Sequence, residues 1–211
     1  MSPCACFAND DFDGAVAVFD EIWGWELDAD APSERENLSV FYVAGALATS
    51  NWVQVVRDEQ GLRALLCADI RGKADCAHDR ALYTAIALER RRRMQASQAG
   101  RWILDFYNKI EAVNADLLGQ MNKAGLGWEA ELKLLITSPA ARGKGCASAL
   151  VSACFQDAAA CGAKWCMLLT DTHCSWQYYE KTGWSLAARK PWSDGSGIVG
   201  FAYRKQPDAL R

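Results

Sequence analysis

Residues 129–147 read EAELKLLITSPAARGKGCA, and the spacing of their apolar residues changes halfway along. Glu129, Glu131, Lys133 and Leu135 alternate with Ala130, Leu132, Leu134 and Ile136, the two-residue period of a strand with one apolar face. Pro139 cannot continue a ladder, and Gly143 and Gly145 let the backbone come close to a ligand. From Cys146 through Ala149, Leu150, Ala153, Cys154 and Ala158 the spacing is helical. The stretch therefore reads as strand, glycine-rich turn and helix. The first amides of a helix lack partners within it, and the macrodipole adds partial positive charge there, so the turn suits an anionic phosphate. Arg142 and Lys144 add formal charge at the same place.

Taken alone, RGKG is first of all the composition of an ordinary solvated connection. A Walker P-loop needs Ser or Thr directly after Gly-Lys; Gly145 stands there, and residues 137–142 hold no glycine, which excludes that reading. A dinucleotide fingerprint fits Gly143 and Gly145, meets Ser148 in place of its third glycine, and has Asp171 at the end of the next predicted strand. Against it, only about forty residues follow Asp171, too few to finish a doubly wound sheet.

The chain has 211 residues, about half of them hydrophobic, which suits one domain over 1–211 with a real core. A net charge of −3 argues against broad nucleic-acid binding. No basic region with a long apolar run opens the sequence, and no apolar stretch reaches membrane-spanning length, so a cytoplasmic protein without membrane partners is expected. The nine cysteines are odd in number and scattered, which favours reduced thiols over disulfides. Cys4 with Cys6, and Cys76 with His78, form pairs at i and i+2, but no second pair has structural-zinc spacing, so no metal is expected. Cys146 opens a helix, where thiols gain reactivity, although a small packed residue is the simpler role.

Along the chain, residues 4–7 suggest a short strand, and Phe12, Val16, Phe19 and Trp23 an amphipathic helix. Residues 25–31, WELDADA, form an acidic and aromatic connection. Ser33 with Glu36 predicts a capping box for a second helix. Residues 51–57 and 62–70 read as strands joined by a tight turn. Residues 71–127 then interrupt the pattern with a helical hairpin, in which Ile103, Phe106, Ile110, Val113 and Leu117 form a seam expected to pack against the helix at 82–94. The ERRRR run at 89–93 reads as a solvated face or as a grip on an anionic partner. Residues 164–170 suit a buried strand, 176–181 a short helix, and 184–189 with 198–204 a final pair of strands.

This order of elements, and two blocks of letters, resemble the Gcn5-related N-acetyltransferases. Thr137, Pro139, Arg142, Gly143, Gly145 and Ala147 match the family's acetyl-CoA pyrophosphate motif, and Tyr179, Glu180, Lys181, Gly183 and Trp184 match its YEKxGF block. The second block, with Thr170, Asp171, Cys174 and Tyr178, is similar to a group of uncharacterised bacterial members. Ala140 replaces the usual Gln or Arg, and Thr172 the Asn often found after the fifth strand. The resemblance implies an α/β fold with a mixed, twisted sheet of about six or seven strands flanked by helices, the hairpin lying between the third and fourth strands.

It further implies transfer of an acetyl group from acetyl-CoA to a primary amine by direct attack. Amides around Arg142, Gly143, Lys144, Gly145, Cys146 and Ala147, with Thr172, would hold the diphosphate, and the backbone of Leu135, Ile136 and Thr137 would pair with pantetheine. An alkyl ammonium titrates at ~10.4, so about one molecule in a thousand is nucleophilic at neutral pH, a deficit of roughly 4 kcal/mol, and a base is needed. Glu131 stands where the family's general base stands, with Glu129 on the same predicted face, and Tyr179 matches its general acid. Trp25, Glu26, Asp28 and Asp30, with Glu129, suit a cationic acceptor. A non-catalytic acyl-CoA-binding sensor is the alternative, and the hairpin seam also allows a homodimer.

Overall fold

A computed structural model describes residues 4–24, 32–74 and 78–207. In chain order these form β1 (Ala5–Cys6), α1 (Phe12–Trp23), α2 (Pro32–Ala48), β2 (Trp52–Asp58), β3 (Gly61–Ile70), α3 (Arg80–Ala96) and α4 (Gln98–Lys123). There follow β4 (Ala130–Thr137), α5 (Cys146–Ala160), β5 (Cys166–Asp171), α6 (Gln177–Lys181), β6 (Ser185–Pro191) and β7 (Val199–Lys205). The strands make one seven-stranded sheet in the order β1-β2-β3-β4-β5-β7-β6, mixed because β4 and β5 run parallel. The expected α/β architecture, with two helices between the third and fourth strands, is present.

Two apolar layers hold the sheet. Leu66 and Ala68 of β3 pack with Leu150, Cys154 and Phe155 of α5. On the opposite face Leu65 and Cys67 pack with Ala15 and Phe19 of α1 and with Val43 and Leu47 of α2. Residues two apart along β3 thus serve one layer, as a pleated strand requires.

β4 departs from that rule. Ala68 pairs with Leu132 and Cys67 with Leu134, so Lys133 is an extra residue without a partner on β3. An extra residue in one strand turns every later side chain to the other face. Leu132 accordingly packs on the α5 side, Leu134 and Ile136 on the α1–α2 side, and Leu135 against the α5 side again. The single apolar face expected for this strand is therefore corrected: its apolar residues serve both layers. The pairing of β4 with β5 also runs only from Ala130 to Leu132, beyond which the two strands part.

The inserted helices differ from expectation in their packing. Ile103 and Leu104 meet Met94 and Phe41, but Leu117 and Met121 pack on Met167 and Ala202 of the sheet, and Phe106 lies 5.3 Å from Trp192. Three-and-four spacing marks an apolar stripe without saying whether a helix or a sheet receives it. Here α3 receives the first turns of α4, and the half of the sheet that α1 and α2 leave bare receives the rest. The turn between the helices is tight, because a Cβ on Gly100 would stand 2.2 Å from the Met94 carbonyl oxygen. Ser97 caps α4 by accepting from the Gly100 amide (2.8 Å), and its hydroxyl donates to buried Glu34 Oε1 of α2 (2.7 Å). At the base of the insertion the Arg71 amide donates to the Glu129 carbonyl (2.8 Å).

α2 begins at Pro32, ahead of the expected cap Ser33, with proline at a first helical position where its missing N–H loses nothing. Glu36, expected to close a capping box, instead pairs with Arg90 (3.1 Å). Arg93 pairs with Glu89 (3.0 Å), so part of the ERRRR run is occupied within the fold. Among the described residues no helix is long and apolar enough to cross a membrane.

Two outcomes test this packing. A Cβ on Gly200 would stand 2.7 Å from Val113 Cγ1, so Gly200→Ala should force α4 off β7 and destabilise the protein by about 1–3 kcal/mol, read from the denaturant midpoint. Asp194 accepts from the Ser196 amide (3.1 Å) and pairs with Lys109 of α4 (3.0 Å), and hydrogen bonds from Ser196 and Lys109 hold its carboxyl down to about 2. A depressed carboxyl stabilises the fold above its ordinary value of ~3.9 and loses that contribution as pH falls through its folded value. Carboxyl chemical shifts followed on acidification should therefore show Asp194 still ionised at pH ~3.

Candidate active site

The parting of β4 from β5 opens a gap in the middle of the sheet, and the glycine-rich turn closes one end of it. After β4 the Ser138 amide donates to the Arg63 carbonyl (2.8 Å) and the Ser138 hydroxyl to Glu21 (3.1 Å), which fixes where the turn starts. Gly143 and Gly145 have φ of 74° and 79°, a region that favours glycine. Ala149 donates to the Gly145 carbonyl (2.9 Å); ahead of it the amides of Gly145, Cys146, Ala147 and Ser148 have no acceptor among the described residues. Arg142 and Lys144 are exposed and make no ion pair among those residues. Cys146, in contrast, is buried in the α5 layer, a packing role.

Of the remaining residues expected to hold the cofactor, Leu135 is half-buried toward α5, Ile136 is buried toward α1 and α2, and Thr137 pairs with Ala64. The Thr172 amide donates to the Val199 carbonyl (3.1 Å), and its hydroxyl oxygen accepts from the Val199 amide (3.2 Å). That residue is tied to β7.

Glu131 precedes the bulge and so lies on the face of α1 and α2, directly across from Asp69 of β3. Its carboxylate is 3.4 Å from Lys133 Nζ, both side chains about a quarter exposed. Asp69 and Glu131 line a recess of about 160 Å³ with Arg71, Trp128 and Glu129. Sequence reading missed Asp69 because only strand register brings it there. Glu129, expected beside Glu131 for an acceptor, instead accepts through Oε2 from the Lys164 and Trp165 amides (3.0 Å each), which joins β4 to the start of β5.

Tyr179 approaches the gap from the other face. Its ring stands edge-on to Trp184 (5.9 Å, 79°) within the α5 layer, and its hydroxyl makes no hydrogen bond among the described residues. Burial pushes its pKa up, with Cys174 and Tyr178 adding to the effect. Tyr178 is half-buried, its hydroxyl 3.4 Å from Ser148 Oγ, and Trp184 is core. Burial followed by Asp171 pushes the Cys174 thiol up to about 12. Tyr42 belongs to α2, Cys174 to the loop after β5 and Tyr179 to α6, and β5 has parted from β4 before that loop begins. Trp25, Glu26, Asp28 and Asp30 lie outside the described residues, as does Cys76. Among the described residues no group of three or more His, Cys, Asp or Glu is placed to hold a metal.

The fold is similar to that of the histone acetyltransferase HPA2 and related acetyltransferase from Corynebacterium glutamicum, at 18% identity over 98% of this chain and 97% of that one, with a TM-score of 0.56. It is similar to a putative acetyltransferase of the GNAT family from Desulfovibrio desulfuricans, at 12% identity over 97% and 98%, with a TM-score of 0.55. An aminoglycoside 6'-N-acetyltransferase complexed with coenzyme A matches at 12% identity over 97% and 96%, with a TM-score of 0.56. At these identities the likeness is one of fold. No curated protein sequence matches the chain. The model of the acetyltransferase (GNAT) family matches residues 110–184, from the middle of α4 through the glycine-rich turn to Trp184. Residues 110–184 thus match the GNAT acetyltransferase family's model, and they lie on a sheet whose fold solved GNAT acetyltransferases share.

Proposed function

We propose that the protein transfers the acetyl group of acetyl-CoA to a primary amine by direct attack. The observation that carries this reading is the short β4–β5 pairing, which ends at Leu132 and Leu168 next to a helix start with unengaged amides. The residues present fit the cosubstrate. Four amides without an acceptor and two cations without an ion pair among the described residues suit a diphosphate, and the edge of β4 beyond Leu132, where pairing with β5 has ended, suits the amide groups of a pantetheine arm. A structural relative of the same fold is complexed with coenzyme A. Acetyl-CoA, when bound, supplies a thioester carbonyl for the amine to attack.

The chain's own residues then divide the work. Glu131, on the α1–α2 face, takes the proton that the amine must lose. An incoming ammonium competes with Lys133 for that carboxylate, exchanging one ion pair for another before the proton moves. Tyr179, on the α5 face, meets the departing sulfur with its O–H. Because burial has raised this phenol, leaving it as phenolate is costly, and its contribution is a hydrogen bond to sulfur in which the proton stays largely on oxygen. The nitrogen–carbon bond forms as the carbon–sulfur bond breaks. The ammonium gives up two protons in all, one to Glu131 before attack and one from the newly bonded nitrogen after the first has passed to solvent, and coenzyme A leaves as a thiolate hydrogen-bonded to Tyr179 that takes its proton from solvent.

Three variants test the assignment. Glu131→Gln should lower kcat for amine-dependent thiol release by about 10²–10⁴ while leaving acetyl-CoA affinity in place. Tyr179→Phe should lower kcat by about 10-fold, the loss of one hydrogen bond to a developing charge. Gly143→Val, strained at a φ of 74°, should weaken coenzyme A binding in calorimetry. Thermal stabilisation by coenzyme A with no thiol release from any amine would mark the protein as a sensor.

A further inference from the structure

The inserted helix α4 carries chemistry toward the gap that the transfer reaction itself does not use. Tyr107 of α4 stands edge-on to Tyr42 of α2, ring centres 5.8 Å apart at 88°, and edge-on to Phe41 (5.0 Å, 77°). Tyr42 is stacked in turn on Phe19 of α1 (4.9 Å, 28°). One residue before Tyr107, Phe106 stacks on His173 (6.2 Å, 23°), in the loop that Asp171 opens by accepting from the His173 amide (2.8 Å). Glu111, one helical turn beyond Tyr107, acts on both tyrosines. Two phenol rings from facing helices thus lie near two carboxylates: Glu111 follows Tyr107 by four residues on α4, and Asp171 stands on β5 beyond Leu168, where pairing with β4 has ended, at the parity of Met167 and Leu169 that pack toward α4.

Neither carboxylate has an ion pair among the described residues, whereas several cations of the helical pair and the adjoining sheet are engaged by other carboxylates. Lys109 pairs with Asp194 (3.0 Å), Lys190 with Asp116 (2.9 Å) and Arg90 with Glu36 (3.1 Å). Arg91, whose charge reaches Tyr107, has its guanidinium on Asn108 Oδ1 (3.5 Å). Burial followed by the neighbouring tyrosine, thiol and carboxylates raises Tyr42, so both rings remain neutral with electron-rich faces. Uncharged aromatic rings next to unpaired carboxylates attract an organic cation.

We propose that α4 walls the acceptor side of the gap, and that Tyr107 and Glu111 on it, with Tyr42 and Asp171 opposite, hold a second positive charge on the amine being acetylated. This rests on the acetyl-transfer reading above and names its substrate class, a flexible amine bearing two cationic groups. The cation held here is not the attacking nitrogen. A carboxylate-rich cage favours the ammonium form and suppresses the nucleophile, whereas the reacting amine must lose its proton to Glu131. One group is kept charged on α4 while the other is deprotonated at β4.

The test compares diaminobutane with butylamine as acceptors, by thiol release from acetyl-CoA. The wild-type protein should prefer the diamine about tenfold in kcat/KM, the factor expected of an exposed ion pair together with a cation–π contact. Glu111→Gln should abolish that preference through KM for the diamine, with the ratio of the two kcat values little changed. Asp116→Asn, the same loss of charge on the same helix at a residue paired with Lys190, should retain the preference and so control for the general field. Equal kcat/KM for the two amines, or a Glu111→Gln defect that lowers both alike, overturns the proposal and leaves acetyl transfer standing. Thiol release with neither amine overturns the transfer reading, and this proposal with it.

Discussion

One surplus residue, Lys133, governs the centre of this molecule. Without it β4 would keep a single parity from Ala130 to Thr137, and Glu131, Lys133 and Leu135 would all point one way. With it, the carboxylate of Glu131 faces the layer of α1 and α2 while Leu135, four residues later, faces α5. The strand also stops pairing with β5 at Leu132, immediately before the extra residue. A local change in register thus does two things at one point, aiming an acid toward one face and freeing the backbone beyond it. The glycine turn then needs only to place the start of α5 at the end of the freed strand, and left-handed Gly143 and Gly145 allow this.

Much of this could be read in the letters, because it depends on local rules. The switch from a two-residue to a helical period at 129–147 announced strand, turn and helix. The same reasoning located the remaining strands to within a few residues. What escaped depends on contacts between distant segments. No residue type marks the bulge at Lys133; it exists because β3 aligns Cys67 and Ala68 with Leu134 and Leu132. The apolar stripe of α4 was visible, but not that its later turns would find Met167 and Ala202 in place of a helix. Asp69 likewise reaches Glu131 only through strand register, and Tyr42, Tyr107 and Glu111, the residues of the proposed cation cage, are brought together only by helix packing, with no motif to link them. Glu129 shows the converse: a carboxylate at a suggestive position, committed to two backbone amides.

The insertion itself is pinned by polar as well as apolar contacts. Glu34 is buried, and a buried carboxylate without partners is costly, yet Ser97 and Asn37 donate to its two oxygens. The Ser97 hydroxyl donates to Glu34 while its oxygen accepts from the first turn of α4, so one side chain ties the turn between the inserted helices to α2. Gly200 completes the fit from beneath, letting Val113 approach the backbone of β7. A helix so held keeps Tyr107 and Glu111 at a fixed height above the sheet.

At the root of the helical pair the Arg71 amide donates to the Glu129 carbonyl, where the polypeptide leaves β3 and returns to β4. The two ends of the pair are therefore joined at adjacent rungs, and the ladder between β3 and β4 closes with no rung supplied by α3 or α4. A change of length or composition between those ends is accordingly absorbed outside the sheet, which leaves the register of β4 untouched.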